Sequence, residues 1–351
     1  EKQRVEILKL LFRQSSILIL DEPTTVLTPT EIEQLFQAMH HMSDSGKAIV
    51  FISHKLDEVM SVADEVAILR QGHIVDEMEI SQVTSTRELA LRMVGREIFL
   101  HPDKKPISTG RDVLRLQNVW HGPLQDISLR VKSGEINAVV GVAGNGQKPL
   151  VEIISGQTPP KQGLITILDK PWKDFYRSSK WLEEFCYIPE DRLGLATCPA
   201  LDLGDNFLLT TKEHFSSGPW LDKKRARAAA SDLFKTFNVR FTSLKAKAGE
   251  LSGGNLQKLV LARELYRRPK LILAEQPSQG LDIAATEEIW NYLLQARGEA
   301  GILLITSDLN EALSLADWIT VIYRGRIMDT FPAADQEKVS SIGPLMAGLK
   351  D

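Results

Sequence analysis

The sequence predicts an α/β fold in which a mostly parallel sheet lies beside an antiparallel β portion and a helical subdomain. The first observation is that short apolar runs, as at residues 17–20 and 271–274, end on acidic residues and are followed by helical patterns. The second is a glycine-rich stretch between the strand pattern at 135–140 and the start of a helix. The third is that the chain contains two similar segments with the same order of strands and helices.

The composition is that of an ordinary globular protein, with 351 residues, 43% hydrophobic and 25% charged, and a net charge of −4. The length favours two domains, and the small negative charge predicts no nucleic-acid partner. The two cysteines, Cys186 and Cys198, predict no disulfide framework and fit a reducing compartment. No apolar run approaches the roughly 18–20 residues that a membrane-spanning helix needs.

The two similar segments align in order along the chain. Residues 1–5 match 255–259, residues 17–24 match 271–278 and, after a slip of one position, residues 51–58 match 304–311. We therefore expect two tandem copies of one domain. The first copy begins after the point that corresponds to 252–254, so it should be N-terminally truncated, lack strands of its sheet and expose apolar surface. The predicted division is 1–100 for the end of the first domain, 101–112 for a linker and 113–351 for a complete second domain.

In the first copy, the apolar strand at 17–20 ends on two acids, Asp21 and Glu22. Carboxylates at the end of a buried strand are costly unless they meet a cation or a polar ligand. Asp21 suits a Mg²⁺ ion bound through water, and Glu22 is placed to orient or deprotonate an attacking water in phosphoryl transfer. The alternative is a strand that ends in solvent with ordinary surface acids. His54 follows the next strand, where it either contacts a terminal phosphate or is an ordinary core or surface histidine.

The glycine-rich stretch at 141–149 has the form of a phosphate-binding loop, whose backbone N–H groups cradle phosphates. It departs from the G-x-x-x-x-G-K-[ST] pattern, because Gln147 replaces the lysine and Lys148 replaces the hydroxyl residue that binds Mg²⁺. One residue along a helix turns a side chain by about 100°, so Lys148 is a poor substitute. We expect a loop that holds phosphates through its backbone and lacks the key charge. Its predicted binding residues are Gly141, Gly144, Asn145, Gly146, Gln147 and Lys148. Just upstream, Trp120 is either core or placed to stack on adenine.

A second anion site is predicted at Ser252, Gly253 and Gly254, directly before a helical pattern. The N–H groups and the positive end of the helix dipole attract anions there, and the glycines let a ligand approach the backbone closely. The alternative is an ordinary core helix capped by serine. The longer phrase LSGGNLQK, placed before the strand at 271–274, resembles the signature motif of ABC-type ATPases. The resemblance extends over nearly the whole chain.

The resemblance implies a P-loop NTPase fold of the ABC type, with ATP and Mg²⁺ as ligands. It implies that His54 is the family's switch histidine and that Glu190 holds the position of the Q-loop glutamine. It also implies that Asp282 reaches across to the opposite nucleotide site. The remaining predicted nucleotide contacts are Ser252, Gly253, Gly254, Asn255 and Gln257.

The two copies differ where the chemistry is predicted. Asp21, Glu22 and His54 of the first copy correspond to Glu275, Gln276 and Ser307 of the second. The amide of Gln276 is no proton acceptor, and Ser307 has no imidazole. In ABC proteins each nucleotide lies between the P-loop of one copy and the signature of the other. The resemblance therefore implies one competent site, in which Glu22 and His54 work opposite 252–254, and one degenerate site.

The motifs GVAGNGQ, IPEDR, LSGGN and TSDLNEA resemble the second half of the tandem ATPases that drive importers of simple sugars and nucleosides. The GNGQ form is more similar to the nucleoside and basic-membrane-lipoprotein branch. This implies a transport ATPase at the cytoplasmic face of the cell membrane, bound to membrane permease subunits and served by a substrate-binding lipoprotein or periplasmic protein. Without a first P-loop, this chain alone should hydrolyse ATP weakly or not at all.

Two other functions stay open. The first is a soluble tandem ABC ATPase that acts on ribosomes or DNA, which the short linker and the defective loop at 141–149 disfavour. The second is a nucleotide-binding module without hydrolysis, which fits this chain if its competent site lacks a P-loop.

Overall fold

The computed structural model describes residues 9, 15–24, 27, 29–53, 55–70, 72–94, 104–105 and 107–349. Contacts between residues divide the chain into two units, Glu1–Leu100 with Asp282–Ala284, and His101–Leu281 with Ala285–Asp351. Among the helices within these described ranges, none combines the length and the apolar character needed to cross a membrane.

In the first unit, strand β1 (Ile17–Asp21) and strand β2 (Ala48–Ile52) form a parallel pair connected by helix α1 (Pro29–Asp44). Helix α2 (Leu56–Val62) leads into an antiparallel hairpin of β3 (Glu65–Arg70) and β4 (His73–Glu79), and helix α3 (Thr86–Val94) follows. Leu20 of β1 packs against Leu35 and Met39 of α1. The apolar positions of α1 thus cover one face of the strand pair.

From Asp112 onward the elements alternate between strands and helices. They are β5 (Asp112–His121), β6 (Leu124–Lys132), β7 (Ile136–Val140), α4 (Gln147–Ile154), β8 (Gln162–Ile167), β9 (Lys170–Pro171), α5 (Trp172–Arg177), α6 (Trp181–Glu184), β10 (Phe185–Ile188), α7 (Leu203–Thr211), β11 (Ser216–Ser217), β12 (Trp220–Leu221), α8 (Lys223–Thr236), α9 (Gly253–Tyr266), β13 (Leu271–Glu275), α10 (Ile283–Arg297), β14 (Gly301–Thr306), α11 (Leu309–Leu315), β15 (Trp318–Tyr323), β16 (Arg326–Pro332), α12 (Gln336–Ser340) and α13 (Ile342–Met346).

The main sheet of the second unit has the strand order β10-β13-β14-β7-β15-β16. Every neighbouring pair is parallel except β15 and β16, which form an antiparallel hairpin at one edge. A separate antiparallel sheet has the order β6-β5-β8-β9. The carboxyl ends of the parallel strands β7, β13 and β14 therefore meet at one edge, where the glycine-rich loop and the acidic residues follow.

Both faces of the main sheet are covered, which explains why its strands read as continuous apolar runs. On one face, Leu271 and Leu273 belong to a core cluster with Leu150 of α4. On the other face, Ile272 belongs to a cluster with Ile289 of α10. Helices α7, α8 and α9 enclose a third cluster and form the helical subdomain. The predicted α/β fold, with its mixed sheet, antiparallel portion and helical subdomain, is confirmed.

The strand ends of the two units have the same local geometry. Glu22 follows β1 with a φ of 42°, and its N–H donates to the carbonyl of Ile52 at 2.9 Å. Gln276 follows β13 with a φ of 46°, and its N–H donates to the carbonyl of Ile305 at 2.8 Å. Left-handed backbone is uncommon for a residue other than glycine. The agreement therefore extends from the sequence to an unusual backbone conformation.

One face of the strand pair in the first unit is exposed. Ile17 and Ile19 of β1 are 63% and 62% exposed, and Val50 and Ile52 of β2 are 50% and 48% exposed. Their sequence counterparts in the second unit are all buried in the cluster under α4, namely Leu271, Leu273, Leu303 and Ile305. The same apolar pattern is thus covered in one unit and open in the other.

Candidate functional site

The glycine-rich loop turns sharply between β7 and α4, and two of its glycines are required by the backbone. Gly146 is the residue before α4 and has a φ of 116°, which a side chain would strain. A Cβ atom at Gly141 would lie 2.6 Å from the carbonyl oxygen of Ile322. Asn145 fixes the loop from within, since its Oδ1 accepts the Arg324 N–H at 2.9 Å. The N–H groups of the first turn of α4 have no partner within the helix and can bind an anion.

Gln147 and Lys148, the two unusual loop residues, are both engaged with groups of the protein. Gln147 Nε2 donates to the carbonyl of Val142 at 3.1 Å, and its Oε1 is buried without a hydrogen-bond partner. Lys148 Nζ lies 3.2 Å from Glu275 Oε1. The loop keeps its backbone cradle, while its positive charge is directed at a carboxylate of the protein.

Glu275, at the end of β13, is held by three groups of the second unit. Besides Lys148, the Tyr187 hydroxyl donates to Glu275 Oε2 at 2.5 Å, and the Glu190 N–H approaches the same oxygen at 3.5 Å. Partial burial and the nearby Glu275 carboxylate raise the pKa of Glu190. Burial and the hydrogen bond to Glu275 likewise raise the pKa of Tyr187. With Lys148 beside it, this carboxylate is a poor fit for Mg²⁺, because a cation of the protein already neutralises it.

The next residue, Gln276, forms hydrogen bonds with Ser307, the sequence counterpart of His54. Its Nε2 donates to Ser307 Oγ at 3.1 Å, and its Oε1 accepts the Ser307 N–H at 3.2 Å. Neither side chain can take a proton from water at neutral pH. At the corresponding sequence positions the first unit has Glu22 and His54.

The predicted anion site at 252–254 opens the 14-residue helix α9. Ser252 is its N-cap residue, but its side chain makes no capping hydrogen bond. Its Oγ instead accepts from Asn255 Nδ2 at 2.9 Å, while Asn255 Oδ1 accepts the Arg240 N–H at 2.8 Å. Ser252 and Gly253 are exposed. The start of the helix is therefore open to a ligand. In an ordinary serine-capped helix, the serine side chain would accept a hydrogen bond from a backbone N–H of the first turn.

Gln257 is buried one turn further along α9 rather than exposed with the glycines. Its Oε1 accepts from Arg192 Nε at 2.9 Å, and its Nε2 is buried without a hydrogen-bond partner. Arg192 also donates to the carbonyl of Gln279. This arginine, which the sequence reasoning missed, joins the segment after β10 to α9 and to the turn after β13. Its place in the motif IPEDR was the available signal.

The remaining predicted residues have these positions. Asp21 ends β1 and is exposed, and Glu22 follows it at intermediate exposure. Asp282 is exposed in the turn between β13 and α10. His54 lies outside the described residues. Trp120, at the end of β5, is 41% exposed and is therefore not a core residue.

Within the described ranges, no three or more His, Cys, Asp or Glu side chains are grouped so as to hold a metal ion. A nucleotide-bound Mg²⁺ takes much of its coordination from phosphate and water, so it needs one or two carboxylates of the protein. The exposed Asp21 at a strand end fits that requirement by its chemistry. Glu275, engaged with Lys148 and Tyr187, does not.

Comparison with known proteins agrees with this geometry. The ABC transporter family model matches residues 124–279. The chain is 40% identical over 352 residues to the glucose import ATP-binding protein of Haloferax volcanii, covering 97% of this chain and 64% of that protein. It is 38% identical over 358 residues to the nucleoside import ATP-binding protein of Lactococcus lactis subsp. cremoris, covering 99% of this chain and 70% of that protein.

A third relative, the guanosine import ATP-binding protein of Bacillus subtilis, is 36% identical, with 99% of this chain and 69% of that protein covered. The chain spans less than two thirds of the length of the Haloferax volcanii protein. Among solved structures, a dimeric ATP-binding cassette bound to ADP and Pi superposes with a TM-score of 0.54 at 22% identity, covering 63% of this chain and 98% of that chain. That similarity shows the fold. The glycine-rich loop, the signature helix and these relatives together place the chain in the family of ABC transporter ATP-binding proteins, among relatives of the sugar and nucleoside import type.

Proposed function

We propose that this chain is part of a tandem ABC ATPase that binds ATP and powers import of a nucleoside or a simple sugar. The relatives named for glucose, nucleoside and guanosine import support this function over a role on ribosomes or DNA. In this proposal the protein works at the cytoplasmic face of the membrane, docked on permease subunits that receive substrate from a binding lipoprotein or periplasmic protein.

The tandem arrangement is supported by the matching strand ends of the two units. Glu22 and Gln276 share a left-handed φ and the same backbone hydrogen bond to the neighbouring strand. The hairpins β3–β4 and β15–β16 also share a register shift, between Ile68 and Leu69 in one and between Val321 and Ile322 in the other. The open apolar face at Ile17 and Ile19 supports an incomplete first copy, because its counterpart is covered by the P-loop helix α4.

The observation that carries the mechanism is the chemical contrast at these matching positions. Glu22 is a carboxylate at the residue where Gln276 is an amide, on the same backbone geometry. We assign Glu22 to orient the attacking water and accept its proton, and His54 to contact the terminal phosphate. Asp21 would hold Mg²⁺, which neutralises phosphate charge when bound. We call Asp21, Glu22 and His54 the competent site, and we propose the N–H groups at 252–254 and Asp282 as further nucleotide contacts.

The second site is proposed to be degenerate. Gln147 supplies no charge to a phosphate, Lys148 is paired with Glu275, and Gln276 is paired with Ser307. Nucleotide bound there would contact the backbone cradle of 141–146 without a base to activate water. Such a site holds ATP without splitting it, so the two nucleotide sites of the protein would have different tasks.

The test is Mg²⁺-dependent ATP turnover in the natural full-length protein with its permease subunits. Glu22→Gln should reduce kcat by about a hundredfold or more, because the general base is lost, whereas Gln276→Ala should change kcat by less than about threefold. Turnover that survives Glu22→Gln, or that is lost in Gln276→Ala, would overturn the assignment. Uptake of labelled guanosine and of labelled glucose by vesicles with the same complex distinguishes the two substrate classes.

The chain of 351 residues offers a second measurement. If the competent site needs a P-loop from the first copy, the purified chain should show little or no turnover. Turnover that is indifferent to Glu22→Gln would point to the loop at 141–146 and contradict the degenerate assignment.

A further inference from the structure

Glu58 of helix α2 is a carboxylate that is only 8% exposed. Its Oε2 accepts hydrogen bonds from Thr24 Oγ1 at 2.8 Å and from Ser53 Oγ at 3.2 Å, and its Oε1 lies 3.3 Å from Lys55 Nζ. A buried carboxylate is tolerated when such donors satisfy it. Glu58 therefore connects, through its side chain, parts of the first unit that are distant in sequence.

The partners of Glu58 flank the two residues assigned to hydrolysis. Thr24 lies two residues after Glu22, on the turn that follows β1. Ser53 and Lys55 are the neighbours of position 54, and the Lys55 N–H also donates to Ser53 Oγ at 3.1 Å. One carboxylate thus contacts both the turn that carries Glu22 and the side chains of the residues on each side of position 54.

Part of this junction recurs in the second unit at Glu311, the sequence counterpart of Glu58. Glu311 Oε1 accepts from Ser278 Oγ, which corresponds to Thr24, at 2.5 Å. Thr306, the counterpart of Ser53, differs, because its hydroxyl donates to Gln276 Oε1 at 3.4 Å. The cation is not repeated, since Asp308 stands where Lys55 does in the first unit. The contact from the turn after the strand therefore recurs in both units, whereas the contacts with Ser53 and Lys55 occur only in the unit that contains Glu22.

We propose that Glu58 is a positioning residue for ATP hydrolysis, which joins the turn that carries Glu22 to Ser53 and Lys55, the residues on either side of position 54. This inference rests on the function proposed above for those two residues. Glu58 itself does not touch the reacting atoms. Its loss should allow the turn after β1 to move relative to the switch position, which lowers the rate of the chemical step and leaves nucleotide affinity unchanged.

The experiment measures kcat and KM for ATP in the natural full-length protein with its permease subunits. Thr24→Val keeps the shape and removes the donor to Glu58, so kcat should fall by about tenfold or more while KM stays within about twofold. Thr24→Ser restores the hydroxyl and should restore kcat. Glu58→Gln should also lower kcat, because the ion pair with Lys55 is lost. The matched control is Glu33→Gln, an exposed glutamate of α1, which should behave as wild type.

The outcomes separate this inference from the function on which it rests. If Glu22→Gln abolishes turnover and Thr24→Val retains it within about twofold, the positioning role is overturned and the proposed function stands. If Thr24→Ser loses as much kcat as Thr24→Val, the hydroxyl contact is not what matters and the role is again overturned. If Glu22→Gln keeps full turnover, the proposed function itself fails. If Glu58→Gln does not fold, the comparison of Thr24→Val with Thr24→Ser still tests the positioning role.

Discussion

Replacing Glu311 by glutamine should remove a pH dependence of stability that this single carboxyl imposes. Glu311 is 1% exposed, and Trp290 Nε1 donates to its Oε1 at 3.2 Å in addition to Ser278 Oγ. Burial raises the pKa of Glu311 from 4.5 to about 7, and the nearby Asp308 carboxylate adds to the rise. The folded protein therefore binds this proton more tightly than the unfolded chain does.

The sign and size of the effect follow from that difference. Because the folded pKa is the higher one, the stabilising contribution of the Glu311 proton is complete below pH 4.5 and is lost as the pH rises through about 7. The pKa rises from 4.5 to about 7, and each pKa unit corresponds to about 1.4 kcal/mol. Above pH 7, where Glu311 is ionised, the wild-type protein should therefore be about 3 kcal/mol less stable than it would be with a protonated Glu311. A glutamine is neutral at every pH and can still accept from Ser278 and Trp290.

The assay is urea unfolding followed by tryptophan fluorescence at several pH values from 5 to 8.5. At pH 5 the variant Glu311→Gln should be about as stable as wild type, and at pH 8 it should be more stable by up to about 3 kcal/mol. The exposed Glu299→Gln serves as the control and should show no pH-dependent difference. A difference between Glu311→Gln and wild type that is equal at pH 5 and pH 8 would refute the reasoning.

Two further predictions concern packing, and both are measured as the free energy of unfolding in urea. Leu273→Ala should cost about 2–5 kcal/mol, because the side chain is fully buried. Ile19→Ala, at the matching position of the first unit, should cost less than about 1 kcal/mol, because that side chain is exposed. Equal costs would mean that the face at Ile19 is covered in solution. Arg192→Ala should cost about 2–3 kcal/mol, since it leaves the buried Gln257 amide without its donor. The exposed Arg111→Ala, which breaks only a surface ion pair, should cost less than about 1 kcal/mol, and a similar loss in both arginine variants would contradict the buried contact.

Much of the fold could be predicted because its signals are local. An apolar run of strand length that ends on an acid marks both a buried strand and its carboxyl end, as at 17–21 and 271–275. The two strands β1 and β13 were found in this way, each extended by one residue over the prediction. The glycine-rich loop at 141–146 was equally readable, since its positive-φ glycines are a requirement of backbone geometry.

The contacts within the candidate site could not be predicted in the same way. Lys148 and Glu275 are distant in sequence, and their ion pair depends on how α4 packs beside β13. The sequence showed only that Lys148 stands one residue beyond the usual lysine position. Likewise, Arg192 was part of a recognised motif, but its bond to the buried Gln257 became visible only with the path of the chain between β10 and α9.

The sequence by itself determined the elements, the family resemblance and the chemical inequality between Glu22 and Gln276. These depend on residue type and local spacing, which one strand, loop or helix expresses without its neighbours. Only the tertiary structure decided which carboxylates are paired, which apolar faces are covered and which polar groups join two turns, as at Glu58 and Glu311. Such contacts depend on the directions in which side chains from separate elements meet, and the alternation along a single strand does not contain that information.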